Sequence, residues 1–413
     1  MENQKCKGMR DLLPNDMVCF RRIEDAFRTC CLRYGYNEVR TPTLEYLHLF
    51  TAIGTLTPSM LSKVYSFLDW NGWSGERVVM RPDGTIPIAR LYTDNLSEYK
   101  TARLCYVTNI FAFEETGKVN REHWQCGAEF LGGTELAADA EIISLAKEVI
   151  QQLGINDVKL QLSHAGLIRA LIKELDLSPG EEAKVTSCVL DGDWQTLMKT
   201  KVYKAQLDKF LSPLISLKGK SSGFLQNAKS LYRQASPDFK YSIENFIDTA
   251  TLLDGLSCDY EIDITSIKGF EYYTGVCFQL LVGGEKIGGG GRYDNLIPLM
   301  SGKSIPACGF ALYVDPLMKF LPLENKVSEK SRILVSGKKP IPKIVRNCFS
   351  IAQKLREAMY IVEINFSKQE PSAYRWVISV SDNETCPFTV LDCEQKQQRE
   401  VASLLEILSI IGG

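Results

Sequence analysis

The sequence is poor in the residues on which many kinds of chemistry rest. Of 413 residues only three are histidine (His48, His123 and His164). They lie far apart and at no metal-ligand spacing, so neither a metal centre nor a catalytic histidine is read from them. Thirteen cysteines occur without one C-x-x-C pair. An odd number at scattered positions argues against a disulfide framework or a zinc site, and for thiols kept reduced in cytoplasm. Charge of one sign is missing too: 48 Lys and Arg against 50 Asp and Glu leave a net charge of −2, without the overall basic character that draws proteins onto nucleic acid. No apolar run approaches the roughly 18 residues of a membrane span. The opening Met1 to Pro14 is polar and charged, unlike a secretion signal. A cytoplasmic protein without cofactor or metal is expected.

What is present is an ordinary globular composition, 45% apolar and 24% charged, in a chain long enough for two or three domains. Phe20, Ile23, Phe27, Cys30 and Tyr34 recur at helical spacing. Tyr36 to Thr43 is strand-like and broken by Pro42. Tyr65 and Phe67, an Asn71-Gly72 turn and Arg77 to Met80 predict a hairpin. Two strands within 104–132 flank a polar loop around Gly117, and Ala137 to Leu153 predicts a helix. Helical patterns dominate 165–255, interrupted by a Lys- and Ser-rich stretch at 217–222. Strands return at Tyr260 to Ile264, Val276 to Leu281 and Pro306 to Val314.

This pattern predicts an α+β core over 1–322, its sheet mostly antiparallel, with a helical insertion at about 165–255. A linker at 323–331 precedes a small α/β unit over 332–413. That unit has strands at Arg332 to Val335, Tyr360 to Phe366, Trp376 to Val380 and Phe388 to Leu391. A helix carries Ile344, Cys348, Ile351, Leu355 and Met359, and another helix closes the unit.

Three segments carry candidate chemistry. In Arg121 to Glu129, strand alternation places Gln125, Gly127 and Glu129 on one face and Trp124, Cys126 and Ala128 on the other. An amide and a carboxylate with a glycine between them leave room for a small ligand and suit an ammonium group; a half-solvated sheet face fits the pattern equally. Arg81-Pro82-Asp83-Gly84-Thr85 is by itself a turn signal. Gly288 to Asp294 lacks the ending of a P-loop and the spacing of a dinucleotide fingerprint, although glycines there permit close backbone approach. Lys268 to Gly275 holds adjacent tyrosines, Tyr272 and Tyr273, which would face opposite ways if extended.

Taken in order, these segments resemble the histidyl-tRNA synthetase family of class II synthetases over about residues 7–320. Lys7 to Pro14 is similar to that family's opening segment. Tyr34-Gly35-Tyr36 through Thr41 to Glu45 resembles motif 1, the dimer-forming element. Arg81 to Thr85 resembles the histidine-contacting loop and Phe111 to Glu129 motif 2. Lys268 to Gly275 and Gly289 to Asp294 resemble the two histidine-specific motifs, and Gly309 to Leu312 the start of motif 3. The resemblance implies a class II fold, with an antiparallel sheet and flanking helices. It also implies a histidine pocket built from Asp83, Gly84, Thr85, Gln125, Glu129, Lys268, Tyr272 and Tyr273. Residues 332–413 loosely resemble a synthetase anticodon-binding domain, shortened between Phe366 and Trp376.

The departures are informative. Motif 2 of working synthetases reads Phe-Arg-x-Glu; here it is Phe111-Ala112-Phe113-Glu114. Motif 3 ends in an arginine over ATP; here Val314-Asp315-Pro316 puts proline at that place. Lys268 stands where the first histidine motif begins with arginine. Adenylate formation relies on fixed positive charge at the α-phosphate, and losing one such donor typically costs ~10²–10³ in rate. A retained amino-acid pocket beside a lost ATP clamp resembles the regulatory-subunit family of ATP phosphoribosyltransferase. That resemblance implies no catalytic residues of its own and a short-form catalytic subunit as partner. It further implies a homodimeric core within a hetero-oligomer, and histidine as effector. Two other readings stay open: a divergent histidyl-tRNA synthetase, and a synthetase-like RNA-binding or translation-control module.

Overall fold

A computed structural model describes residues 5–52, 61, 64–70, 75–112, 120–190, 218–232, 235–266, 272–321, 332–337, 339–366 and 374–412. The chain divides into two compact units, Met1–Leu321 and Pro322–Gly413. The expected linker at 323–331, the Gly117 loop and Lys268 fall outside the described residues.

The first unit opens with helix α1 (Pro14–Arg33), which has proline in its first turn and the Asp16 carboxylate accepting from the Leu13 N–H at 2.8 Å. It ends where Gly35 takes a φ of +79°, the left-handed conformation that lets the last turn close. A two-residue strand β1 (Asn37–Glu38) is all that pairs within Tyr36 to Thr43, Pro42 having no N–H to offer a neighbour. Strand β2 (Leu44–Tyr46) and the short helix α2 (Leu47–Ala52) follow. The predicted hairpin is β3 (Ser66–Trp70) and β4 (Gly75–Met80), and with β2 it forms a three-stranded sheet of order β2-β4-β3.

Helix α3 (Thr85–Asn95), strands β5 (Ala102–Phe111) and β6 (Glu122–Leu131), and helix α4 (Glu135–Gln152) come next. Strand β7 (Val158–His164) leads into the helical region. There α5 (Ala165–Lys173), α6 (Pro179–Leu190), the two-residue β8 (Lys218–Gly219), α7 (Ser222–Leu231) and α8 (Pro237–Gly255) are found. The chain returns to the sheet through β9 (Glu261–Asp263), β10 (Val276–Val282), β11 (Glu285–Arg292), α9 (Leu296–Ser301), β12 (Ala307–Tyr313) and α10 (Val314–Phe320).

The main sheet runs β1-β5-β6-β12-β11-β10-β7-β9-β8. Only the outlying pairs β1–β5 and β7–β9 are parallel; the centre is antiparallel. Alternation along the strands sorts the side chains. Cys126, Ala128 and Phe130 of β6 pack with Phe20, Ile23 and Phe27 of α1 and Ile142, Leu145 and Val149 of α4 in one large core. Gln125, Glu129 and Leu131 face the other way, where a second cluster gathers Ile86, Tyr92, Leu104, Tyr106 and Tyr293. The sequence therefore builds a sheet dry on both faces, with its polar residues on the side away from α1.

Gly288 to Gly291 form no phosphate loop: they lie within β11, between β10 and β12. A Cβ at Gly288 would stand 2.7 Å from the Ala311 carbonyl oxygen, and one at Gly290 would strike the Gly309 carbonyl. The glycines let the central strands approach closely. Just beyond them, Arg292 pairs with Asp139 of α4 at 2.8 Å and with Asp294 at 3.0 Å.

The second unit is a five-stranded sheet of order β14-β13-β15-β16-β17, formed by β13 (Arg332–Gly337), β14 (Ile361–Asn365), β15 (Trp376–Val380), β16 (Phe388–Asp392) and β17 (Gln397–Val401). Helices α11 (Pro342–Glu357) and α12 (Leu404–Ile411) bury Ile344, Cys348, Leu355 and Ile407 against Ile333, Val335 and Ile378. Among the described residues no helix is long and apolar enough to cross a membrane.

The packing around β11 predicts that Gly290→Ala destabilises the protein by ~1–3 kcal/mol or more, because the obstacle is backbone. Gly180→Ala, in α6 with open space around it, should be neutral or slightly stabilising. Urea denaturation monitored by circular dichroism checks both; equal midpoints for the two variants would contradict the packing account.

Candidate functional site: a cavity on the polar face of the main sheet

The elements converge on a cavity of about 60 Å³ on the polar face of the main sheet. Pro82-Asp83-Gly84 does form a turn, and it delivers α3: the Asp83 carboxylate accepts from the Ile86 N–H at 2.9 Å. The same residue, with Thr85, borders the cavity. Gln125 enters from β6, Gly309 and Ala311 from β12, Gly289 from β11, and Tyr272, Tyr273 and Tyr293 from the segments flanking β10 and β11.

Tyr272 and Tyr273 do not face opposite ways. They lie in irregular chain, their ring centroids are 4.7 Å apart, and both border the cavity. The neighbouring ring of Tyr293 stands 5.8 Å from Tyr272.

Two expectations need correction. The space over Gly127 is not left for a ligand: it holds the Tyr106 ring, into which a Cβ at either Gly127 or Gly84 would run. Cross-strand pairing of Tyr106 with Gly127 explains this, since directly paired residues share a face. Glu129, for its part, is not among the residues lining the cavity. It sits one layer beneath, only 1% exposed, accepting hydrogen bonds from the Tyr293 hydroxyl and from the Tyr106 hydroxyl at 3.2 Å. Tyr106 and Tyr293 went unread in the sequence. Their one signal was position: Tyr106 alternates with Leu104 and Thr108 in β5, and Tyr293 follows the glycine strand.

The electrostatics are one-sided. Burial pushes the Glu129 carboxyl up to about 8; the Tyr293 and Thr85 hydrogen bonds pull it back only partly, and the Asp83 charge pushes it further. Asp83 is itself raised by burial, against hydrogen bonds from the Ile86 and Thr85 backbone. Burial likewise lifts the Tyr106, Tyr272, Tyr273 and Tyr293 hydroxyls well above their usual range. No Lys, Arg or His is among the described residues lining the cavity.

Gln125 is 6% exposed and its Oε1 has no hydrogen-bond partner among the described residues. Buried polar atoms are ordinarily satisfied, and this acceptor belongs to a residue that borders the same cavity as Asp83 and Thr85. Of the predicted site residues, Asp83, Gly84, Thr85, Gln125, Glu129, Tyr272 and Tyr273 thus gather in and around one cavity; Lys268 lies outside the described residues. No group of three or more His, Cys, Asp or Glu side chains among the described residues is arranged to hold a metal.

Beyond the cavity, Asp315 at the start of α10 receives the Arg10 guanidinium and lies 3.6 Å from the His123 ring. Pro316 is in the first turn of α10, where proline is tolerated. Ala112 follows β5 and donates its N–H to the Arg121 carbonyl at 3.1 Å.

Sequence and structure comparisons bear on the family and the fold. The sequence model described as histidyl-tRNA synthetase matches residues 8–317. The chain belongs to that family. It is 46% identical to an ATP phosphoribosyltransferase regulatory subunit of Dehalococcoides mccartyi strain 195 over 412 residues, 99% of this chain and 98% of the relative. To a histidine–tRNA ligase of Methanocaldococcus jannaschii it is 32% identical, over 87% of this chain and 85% of the relative. A crystal structure from Bacillus halodurans, described as an ATP phosphoribosyltransferase regulatory subunit/histidyl-tRNA synthetase, shares the fold with a TM-score of 0.77 at 23% identity. It covers 93% of this chain and 99% of its own. Within the family, the chain groups with the regulatory subunits of ATP phosphoribosyltransferase.

Holding a neutral carboxyl in the core makes stability depend on pH. Unfolded, Glu129 titrates near 4.5; folded, near 8. Between these values the folded chain keeps a proton that the unfolded chain has released. The stabilisation is therefore complete below about 4.5 and is lost as pH rises toward 8. Urea midpoints of the wild type should fall more steeply from pH 5 to pH 8 than those of Glu129→Gln, each pKa unit being worth ~1.4 kcal/mol. Parallel pH profiles would contradict the burial of a neutral Glu129.

Proposed function

We infer that this chain is a non-catalytic regulatory subunit of ATP phosphoribosyltransferase, acting in the first step of histidine biosynthesis. The observation that carries the reading is near-full-length identity of 46% to a protein of that name. The site's chemistry supports it. A buried, acceptor-rich pocket suits an ammonium and an imidazole, while Ala112 and Pro316 occupy the places at which the family's ATP-gripping arginines would fall. Neither supplies the positive charge that adenylate formation requires. The chain accordingly senses an amino acid instead of activating one.

Histidine is the effector this reading assigns to the pocket, with Asp83 and the Gln125 carbonyl toward its amine or imidazole, Glu129 one layer beneath, and the tyrosine rings against the imidazole face. With the carboxylate clamp lost at Ala112, micromolar to millimolar affinity is expected. Tyr272 and Tyr273 border the cavity, so they are the side chains whose arrangement a bound ligand would set. Feedback then follows if the catalytic partner prefers one of the two tyrosine arrangements.

A homodimeric core is supported by the apolar residues exposed on one face of the three-stranded sheet, Leu44, Tyr46 and Phe67, and by Leu13, Val18 and Leu32 along α1. Such a cluster is expected to be covered by a second copy. The thirteen free thiols fit a reducing cytoplasm. The net charge of −2 speaks against tRNA as a partner.

Two outcomes are expected. Mixed with a short-form ATP phosphoribosyltransferase, the chain should form a stable hetero-oligomer and raise the partner's activity; a catalytic subunit fully active alone and unchanged by addition would overturn the reading. Given histidine, ATP and magnesium, the chain alone should show no histidine-dependent pyrophosphate exchange. Exchange at ordinary synthetase rates would favour the ligase reading instead.

A further inference from the structure

An irregularity in β11 brings a cation to the edge of the cavity. The register of β10 against β11 shifts between Leu280 and Leu281: Leu280 pairs with Gly288 and Leu281 with Lys286, which leaves Ile287 as an extra residue. A bulge of this kind re-aims the side chains around it. Ile287 turns into the main core with Leu312. Lys286 is exposed and runs along the face that carries Gly289: a Cβ at Gly289 would lie 3.4 Å from the Lys286 Cε. The Lys286 ammonium stands 5.8 Å over the Tyr313 ring, within the range of cation–π attraction. Gly289 and Tyr313 both border the cavity. Tyr313 is paired across the strands with Gln125, so these two share a face. Lys286, Tyr313 and Gln125 therefore form one row over β11, β12 and β6 at the cavity. The carboxylate next in sequence, Glu285, is paired with Lys319.

We propose that Lys286 receives the acid group of the pocket's ligand, supplying a positive charge that Ala112 cannot. The inference rests on the reading that the cavity binds histidine, and it names the residue that selects the carboxylate of that ligand. The groups around the cavity divide accordingly. Asp83, from the turn before α3, accepts from an ammonium. From the β6 and β12 side, the N–H groups of the Gln125 amide and the Lys286 ammonium donate to a carboxylate. An amino acid carries both charges on one carbon, so acceptors from one element and donors from another fix its orientation. Lysine suits this place. Its flexible four-carbon stem lets the ammonium move from the Tyr313 ring to the ligand, and in the empty site its charge stays in water, so no unpaired cation is buried. The site then prefers an amino acid to an imidazole amine that lacks the acid group.

The test is calorimetric titration of the full chain with histidine and with histidinol, which keeps the ring and the amine and carries a hydroxymethyl group in place of the carboxylate. The proteins compared are the wild type, Lys286→Ala, Lys286→Arg and Lys268→Ala. The wild type is expected to prefer histidine. Lys286→Ala should weaken histidine about fivefold or more, as the loss of a hydrogen bond to a charged group does, and leave histidinol nearly unchanged. Lys286→Arg should keep most of the preference. Added salt should weaken histidine binding in the wild type and much less in Lys286→Ala, because an exposed ammonium is screened. Equal loss of both ligands in Lys286→Ala, or loss of neither, would overturn the assignment. So would a preference that survives in Lys286→Ala and vanishes in Lys268→Ala, which gives the carboxylate to Lys268. Wild-type protein that binds neither ligand overturns the pocket reading and this inference together, whereas histidine binding that ignores Lys286 overturns this inference alone.

Discussion

Two interacting carboxyl groups, half-buried Asp83 and buried Glu129, stand at the pocket with no cation among the described residues lining it, and the site is organised around that fact. Isolated buried carboxylates are expensive, and a protein that keeps them has two ways to lower the cost. It can protonate one of them, as the rise of Glu129 to about 8 indicates. It can also surround them with donors, as Tyr293, Tyr106 and the α3 amides do. Both remedies are provisional. A positively charged ligand would replace the proton and convert a costly arrangement into a paired one.

The scaffold makes this possible by sorting polarity between the two faces of one sheet. On the α1 side, β6 contributes Cys126, Ala128 and Phe130 to the main core. On the other side, the same strand presents Gln125 and Glu129. Glycines decide how tightly this second face closes: Gly84 and Gly127 admit the Tyr106 ring, and Gly309 admits the Glu129 carboxylate. Arg292, paired with Asp139 and Asp294, anchors the end of β11 and so the start of the Tyr293 segment. The pocket is thus held by backbone proximity and one buried ion-pair cluster.

Much of this architecture was legible in the residues, for identifiable reasons. Strong alternation and helical spacing marked β5, β6, β10, β12, α1 and α4, because their apolar residues face one dense core. Strand β7 was not read, although it pairs with β10 along its whole length; it follows closely on α4, and its final residue His164 caps α5. Strand β17 is an edge strand of Gln, Arg and Glu and carries no apolar alternation. At the site, Asp83, Thr85, Gln125, Tyr272 and Tyr273 were recognisable as a set through ordered motifs. Tyr106 was not, because its place follows from the register of β5 against β6, which no local pattern contains. For the same reason Glu129 was read as a wall of the pocket, whereas the structure sets it behind Tyr293.

The central claim is that ligand binding replaces a proton held by buried carboxyls. Calorimetric titration of histidine at pH 7, in two buffers of widely different ionisation enthalpy, measures this directly. The account predicts that the observed heats differ by an amount corresponding to a net release of up to about one proton per site, consistent with Glu129 holding its proton to about pH 8. Saturable binding with identical heats in both buffers would contradict it.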